Sequence, residues 1–175
     1  LPFGSVAASK LAEFVGIAEE LGALEFRPAP PRSLIMLLDA QNAECMLQAA
    51  SALGFVTDAR DPVMRIFACV GAPACTFGYF DTRQTAHEIA QASSLFEESD
   101  VSVHVSGCSK GCAHPSTATL TLVGDEKSVG IVVGGTARDL PLVHSRPKPL
   151  TNALARLHAE DLKRLSAGEL AALLR

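Results

Sequence analysis

Two pairs of cysteines, each set in a turn of small residues, constrain this chain more than any other feature. Cys69 and Cys75 enclose V-G-A-P-A, Cys108 and Cys112 enclose S-K-G, and 32 residues separate the pairs. A short apolar run from Met64 leads into the first turn, and the alternating run Val101 to Val105 leads into the second. Between them, Tyr79 to Phe96 places Ala86, Ile89, Ala90 and Leu95 where they can share one helix face. A strand, helix and strand in that order can carry both turns to the same end of one sheet.

The residues around the thiols suit an inorganic group. Gly71, Ala72, Ala74, Gly107, Gly111 and Ala113 allow close backbone approach and leave amides free to hydrogen-bond sulfur. Four thiolates so placed can hold a [4Fe–4S] cluster. Structural zinc also takes four cysteines, although its usual knuckle has two to four intervening residues and the first pair here has five. Inert buried cysteines are the third reading. Cys45, beside Met46 and Leu47 in a helical stretch, is expected in ordinary core packing. Five cysteines are an odd number, which argues against a closed disulfide framework.

Bulk properties narrow the field. With 175 residues, 48% hydrophobic content and a mean hydropathy of +0.24, the chain can bury one sizeable core or two small ones. A net charge of −4 and a pI near 5.7 argue against general nucleic-acid binding, so an anionic ligand must be met by local Arg and Lys. No apolar run approaches the roughly 18 residues of a membrane span, and the first residues lack a basic region followed by an apolar core. A cytoplasmic protein is the expectation. The opening Leu-Pro-Phe-Gly, without Met, reads as the start of a fragment.

Helical spacing predicts a first helix over Ser9 to Leu21, closed by Gly22. Leu24 to Arg27 and Ser33 to Leu38 read as strands separated by Pro28, Pro30 and Pro31. Asn42 is the expected cap of a second helix that runs to Leu53 and ends at Gly54. After the cysteine turns, Ala118 to Val123 and Val129 to Val133 read as strands joined by a turn at Gly124 to Lys127. Pro141 to Pro149 reads as a linker, and Leu150 to Arg175 as two short helices, the last capped by Ser166.

The spacing C-x5-C followed by C-x3-C resembles the [4Fe–4S] motif of the nitrite and sulfite reductase superfamily. Within it, A-C-V-G-A-P-A-C, Y-F-D-T-R and V-S-G-C-S-K-G-C-A-H-P are similar to the precorrin-3B synthase family. The sirohaem reductases usually carry G-C-P-N-x-C at the second pair, where this chain has Gly107-Cys108-Ser109-Lys110-Gly111-Cys112. The likeness runs from P-F-G at Pro2 to L-T-L-V-G-D ending at Asp125, and corresponds to the C-terminal half of the family's usual length.

The resemblance implies an α+β fold: a ferredoxin-like half-unit over 1–60, a nitrite/sulfite reductase-like [4Fe–4S] domain over 61–145, and a C-terminal helical segment over 146–175. It implies an oxygen-dependent monooxygenase of aerobic cobalamin synthesis, which hydroxylates precorrin-3A at C20 and closes a γ-lactone. Cys69, Cys75, Cys108 and Cys112 would be the cluster ligands. The full-length enzyme would add a non-haem iron, use dioxygen and an electron donor, and enclose the tetrapyrrole with the missing N-terminal half. This half by itself would then show weak catalysis or none.

The alternatives are half of a sirohaem-dependent reductase, and a non-catalytic four-cysteine module that carries electrons or binds zinc. Because the implied substrate has many carboxylates, Arg32, Arg83 and Lys110 are the candidate substrate contacts. Arg83 could instead pair with Asp81, and Lys110 could offset thiolate charge. His114 is read as an iron ligand or proton donor on one hand and as a turn hydrogen bond on the other. His104, on an alternating strand, is read as a satisfied interior or face residue. His87, His144 and His158 have no evident partner, and no catalytic side chain is identified.

Overall fold

The computed structural model describes residues 1–92, 94–97, 100–146, 152–154, 157–158, 164 and 166–173. It divides into two compact units, Leu1–Met64 and Arg65–Arg175.

The first unit runs helix, strand, strand, helix: α1 (Ala8–Glu20), β1 (Glu25–Ala29), β2 (Ser33–Leu37) and α2 (Ala40–Ala52). The strands form an antiparallel pair in which Glu25 faces Leu37 and Ala29 faces Ser33. Pro28 lies inside β1, tolerated because this sheet has only two strands and both are edges. Phe14 and Ala18 of α1 meet Met46 and Ala50 of α2 in the core, and Phe14 stacks on Phe55 at 4.5 Å.

Both helices end in the same device. The amides of Gly22 and Ala23 bond the carbonyls of Glu19 and Ala18, and those of Gly54 and Phe55 bond the carbonyls of Ser51 and Ala50. These are Schellman motifs, each with a positive-φ glycine after the last helical residue. The start of α2 differs from expectation. Asp39 occupies the cap position without a side-chain bond, and the Asn42 amide donates to the Leu21 carbonyl at 2.9 Å, tying α2 to the end of α1.

The second unit is built on a five-stranded sheet in sequential order: β3 (Ile66–Ala68), β4 (Val103–Ser106), β5 (Ala118–Gly124), β6 (Val129–Gly135) and β7 (Val143–Ser145). β3, β4 and β5 are parallel, and β6 and β7 continue antiparallel. Helix α3 (Thr82–Ala92) connects β3 to β4 and packs on both. Asp81 caps it by accepting the Gln84 amide at 3.0 Å.

β7 corrects the linker expectation. Leu142 and Val143 meet Ile131, which gives the proline-flanked stretch a strand partner. The rest of that stretch, 147–149, lies outside the described residues. A short helix α4 (Ala167–Leu173) starts with the expected cap: Ser166 Oγ accepts the Glu169 amide at 3.4 Å, and the Glu169 carboxylate accepts the Ser166 amide at 2.8 Å. The remainder of the predicted C-terminal helices falls largely outside the described residues. No described helix is long and apolar enough to cross a membrane.

One sheet face carries Ile66, Val103 and Leu120 in register, all fully buried. The opposite face carries Phe67, His104 and Thr121 in register. A parallel pair needs a crossover. Between β4 and β5 that crossover is the loop containing Cys108 and Cys112, with no helix in it. It covers the second face, where the His114 ring stacks on Phe67 at 4.1 Å.

Candidate iron–sulfur site

Both cysteine loops leave the C-terminal ends of neighbouring parallel strands, the first after β3 and the second after β4. They pack directly on each other. The Cys69 amide donates to the Val105 carbonyl at 3.2 Å, the Tyr79 amide donates to the Gly107 carbonyl at 3.0 Å, and the Gly107 amide donates to Cys69 Sγ at 3.2 Å. Within the first loop the Cys75 amide bonds the Gly71 carbonyl at 2.7 Å, and the Gly78 amide bonds the Cys75 carbonyl at 3.0 Å.

The backbone around these loops requires glycine at two places. At Gly71, with φ +60°, a β-carbon would sit 2.8 Å from the Thr82 amide nitrogen and 2.9 Å from the Phe80 carbonyl oxygen. At Gly124 it would collide with the Gly107 carbonyl. Backbone stands against backbone at both positions, so neither neighbour can swing away. Thr82, buried at the start of α3, donates its hydroxyl to the Cys69 carbonyl at 2.7 Å. It is a supporting residue the sequence reading missed, although its place after the capping Asp81 marks it.

All five cysteines are free thiols. Cys69, Cys75 and Cys108 are half-buried, and Cys112 is exposed. Among the described residues no three or more His, Cys, Asp or Glu side chains are grouped so as to hold a single metal ion. A four-iron cluster makes a different demand, since each thiolate binds its own iron. The four thiols, the contacting loops and an amide aimed at the Cys69 sulfur fit such a group. Cys45 corrects the core expectation: it lies on the exposed face of α2, while Met46 turns inward.

The candidate cations fall in different units. Arg32 sits in the β1–β2 turn at φ +61°, with its guanidinium toward the Met64 carbonyl at 3.4 Å and its own carbonyl accepting the Leu1 amine at 2.8 Å. Burial lowers the pKa of this guanidinium. Arg83 is half-buried in the first turn of α3. Lys110 places its ammonium over the Phe77 ring, 3.1 Å from the centroid, and so bridges the second loop to the first. Cys108 and Lys110 line a cavity of about 470 Å³ with Phe77, Tyr79 and Arg138, the last of which sequence patterning did not single out.

The histidines also sort themselves. His114 has the turn hydrogen bond that was one of its readings, Nε2 to the Thr117 carbonyl at 3.3 Å. His144 pairs with Ser128 at 3.1 Å, and His158 lies 3.4 Å from Glu97. His104 is interior, as one of its readings had it, and fully buried, but it is not satisfied: among the described residues neither ring nitrogen has a hydrogen-bond partner.

No family model matches the chain. It is 33% identical over 170 residues to the precorrin-3B synthase of a Sinorhizobium species, an alignment covering 97% of this chain and 37% of that protein. It is 30% identical over 131 residues to the ferredoxin–nitrite reductase of Synechococcus elongatus, covering 71% of this chain and 25% of the relative. The chain thus spans little more than a third of the first relative's length. Its fold matches that of the Mycobacterium tuberculosis NirA protein with a TM-score of 0.69 at 16% identity, over 94% of this chain and 37% of that one. Two paired cysteine loops on a mixed α+β frame, and relatives of both kinds, lead to one conclusion: the chain belongs to the nitrite and sulfite reductase superfamily.

Proposed function

We propose that the chain is part of an oxygen-dependent monooxygenase that converts precorrin-3A to precorrin-3B, hydroxylating C20 and forming the γ-lactone. The similarity to precorrin-3B synthase along 97% of the chain carries this reading. In it Cys69, Cys75, Cys108 and Cys112 hold a [4Fe–4S] cluster, which when bound supplies electrons one at a time. Monooxygenation places one oxygen atom in the product and reduces the other to water, so electrons must enter from a donor.

The chain's own residues do the rest of what falls to this segment. Gly107 orients and stabilises the Cys69 sulfur through its amide. Lys110 and Arg138 flank the cavity beside Cys108 and offer cations to carboxylates of the macrocycle. Arg83 and Arg32 are further candidate contacts, Arg32 from the separate first unit. The non-haem iron and the rest of the tetrapyrrole pocket belong, in this reading, to the part of the protein outside these residues.

A second reading, half of a sirohaem reductase, draws on the nitrite reductase relative. Incubating the full-length protein with precorrin-3A and dioxygen, with the lactone followed by mass spectrometry, tests the first reading. Strong sirohaem bands in its visible spectrum with no lactone would support the second.

A further inference from the structure

Three buried polar side chains lie on the sheet face beneath the Cys108–Cys112 crossover: Ser106, Thr121 and His104. Two are satisfied. Ser106 donates to the Cys108 carbonyl at 2.7 Å, and Thr121 donates to the Gly135 carbonyl at 2.8 Å. His104 is 0% exposed, with both nitrogens unpartnered among the described residues. A buried polar atom left unpaired is costly, and native structures rarely keep one without a bound partner or a role for it.

The ring's orientation is defined by what lies against Cε1. Cε1, the carbon between the two nitrogens, lies 3.7 Å from the point where a side chain on Gly111 would begin. The polar edge of the imidazole therefore faces the turn between Cys108 and Cys112. The neighbouring His114 ring meets His104 edge-on at 5.8 Å and is already committed to Phe67 and the Thr117 carbonyl.

We propose that His104 is a positioning residue for the iron–sulfur cluster: a ring N–H donates to a sulfur of the ligated Cys108–Cys112 turn, thiolate or sulfide, and raises the cluster's reduction potential. This rests on the four-cysteine reading above. A hydrogen bond to sulfur favours the more negatively charged reduced state, so removing it moves the potential negative. It also explains a histidine at a position where the strand's other interior residues are apolar or satisfied.

Pulsed electron paramagnetic resonance of the reduced full-length holoprotein, carrying isotopically labelled histidine, tests this. Iron and acid-labile sulfide are measured on the same samples. The expected result is an imidazole nitrogen coupling that survives His114→Phe and disappears in His104→Phe. The midpoint potential should move negative in His104→Phe and return toward wild type in His104→Gln, which keeps an N–H. A loaded cluster without nitrogen coupling in the wild type overturns the role of His104 and leaves the cluster reading standing, even where the variants fail to fold. Coupling lost in His114→Phe and kept in His104→Phe overturns it as well. Absence of iron and sulfide from the wild type overturns both.

Discussion

The Gly107 amide of the second cysteine loop donates to the Cys69 sulfur of the first at 3.2 Å. One bond therefore joins the backbone beside one cysteine pair to a side chain of the other. An amide that donates to a cysteine sulfur fixes where that sulfur points. The neighbouring glycines hold the two backbones close enough for it to form.

Cys112→Ser and Cys45→Ser separate ligand from bystander. Serine nearly matches cysteine in volume but is a poor ligand for iron that prefers soft thiolate. In the full-length protein Cys112→Ser should lose cluster iron, acid-labile sulfide and lactone formation. Cys45→Ser, on an exposed helix face, should retain all three and change stability by no more than about 0.5 kcal/mol. Iron loss in the Cys45 variant with retention in the Cys112 variant would reverse the assignment.

Two glycine-to-alanine changes should act in opposite directions. At Gly71 the new β-carbon meets backbone atoms of Thr82 and Phe80 at a positive φ, so Gly71→Ala should destabilise by about 1–3 kcal/mol. At Gly16, inside α1, nothing lies within 4 Å of the same atom. Gly16→Ala should stabilise by about 0.5–1 kcal/mol, because alanine gives up less backbone entropy in a helix. Urea unfolding midpoints of the two variants check both signs.

Much of this was readable in the chain because the signals were local. Gly22 and Gly54 end their helices as spacing and helix chemistry require, and Ser166 caps its helix through Glu169. Asn42 misled because its side chain answers a carbonyl on another helix, Leu21, which no local pattern encodes. β7 was hidden by flanking prolines, and its evidence is the partner strand β6. Cys45 is exposed where core packing was expected, whereas His104 is interior as read but lacks, among the described residues, the hydrogen-bond partner expected of it. The helix periodicity was right, but burial of one particular face depends on what packs there, and the isolation of His104 depends on a crossover loop that arrives from beyond its own strand.

The contact between Lys110 and Phe77 should be measurable as a coupling. An ammonium over an aromatic face contributes about 0.5–2 kcal/mol, rising with desolvation. Lys110→Met and Phe77→Leu, combined in a double-mutant cycle, should give a coupling in that range, because the two residues join the loops. Additivity within a few tenths of a kcal/mol would mean that the contact contributes nothing to holding them together.

His104 predicts a pH dependence of stability with a definite sign. Burial, with a smaller contribution from the charge of neighbouring His114, lowers its pKa from 6.5 to about 4. The unfolded chain therefore takes up a proton near pH 6.5, while the folded chain resists until about pH 4. Between those values the unfolded state binds more protons, so stability falls as pH drops. The contribution is fully present above pH 6.5 and lost by about pH 4, and at roughly 1.4 kcal/mol per pH unit it amounts to about 3 kcal/mol. Urea midpoints of this chain across that interval should fall more steeply for the wild type than for His104→Leu, which has no proton to gain. The lowered carboxyls of Asp58, Asp139 and Glu169 act in both proteins alike and cancel in the comparison. Equal slopes for the two would show that the imidazole is protonated as easily in the folded chain as in the unfolded one, contrary to its burial.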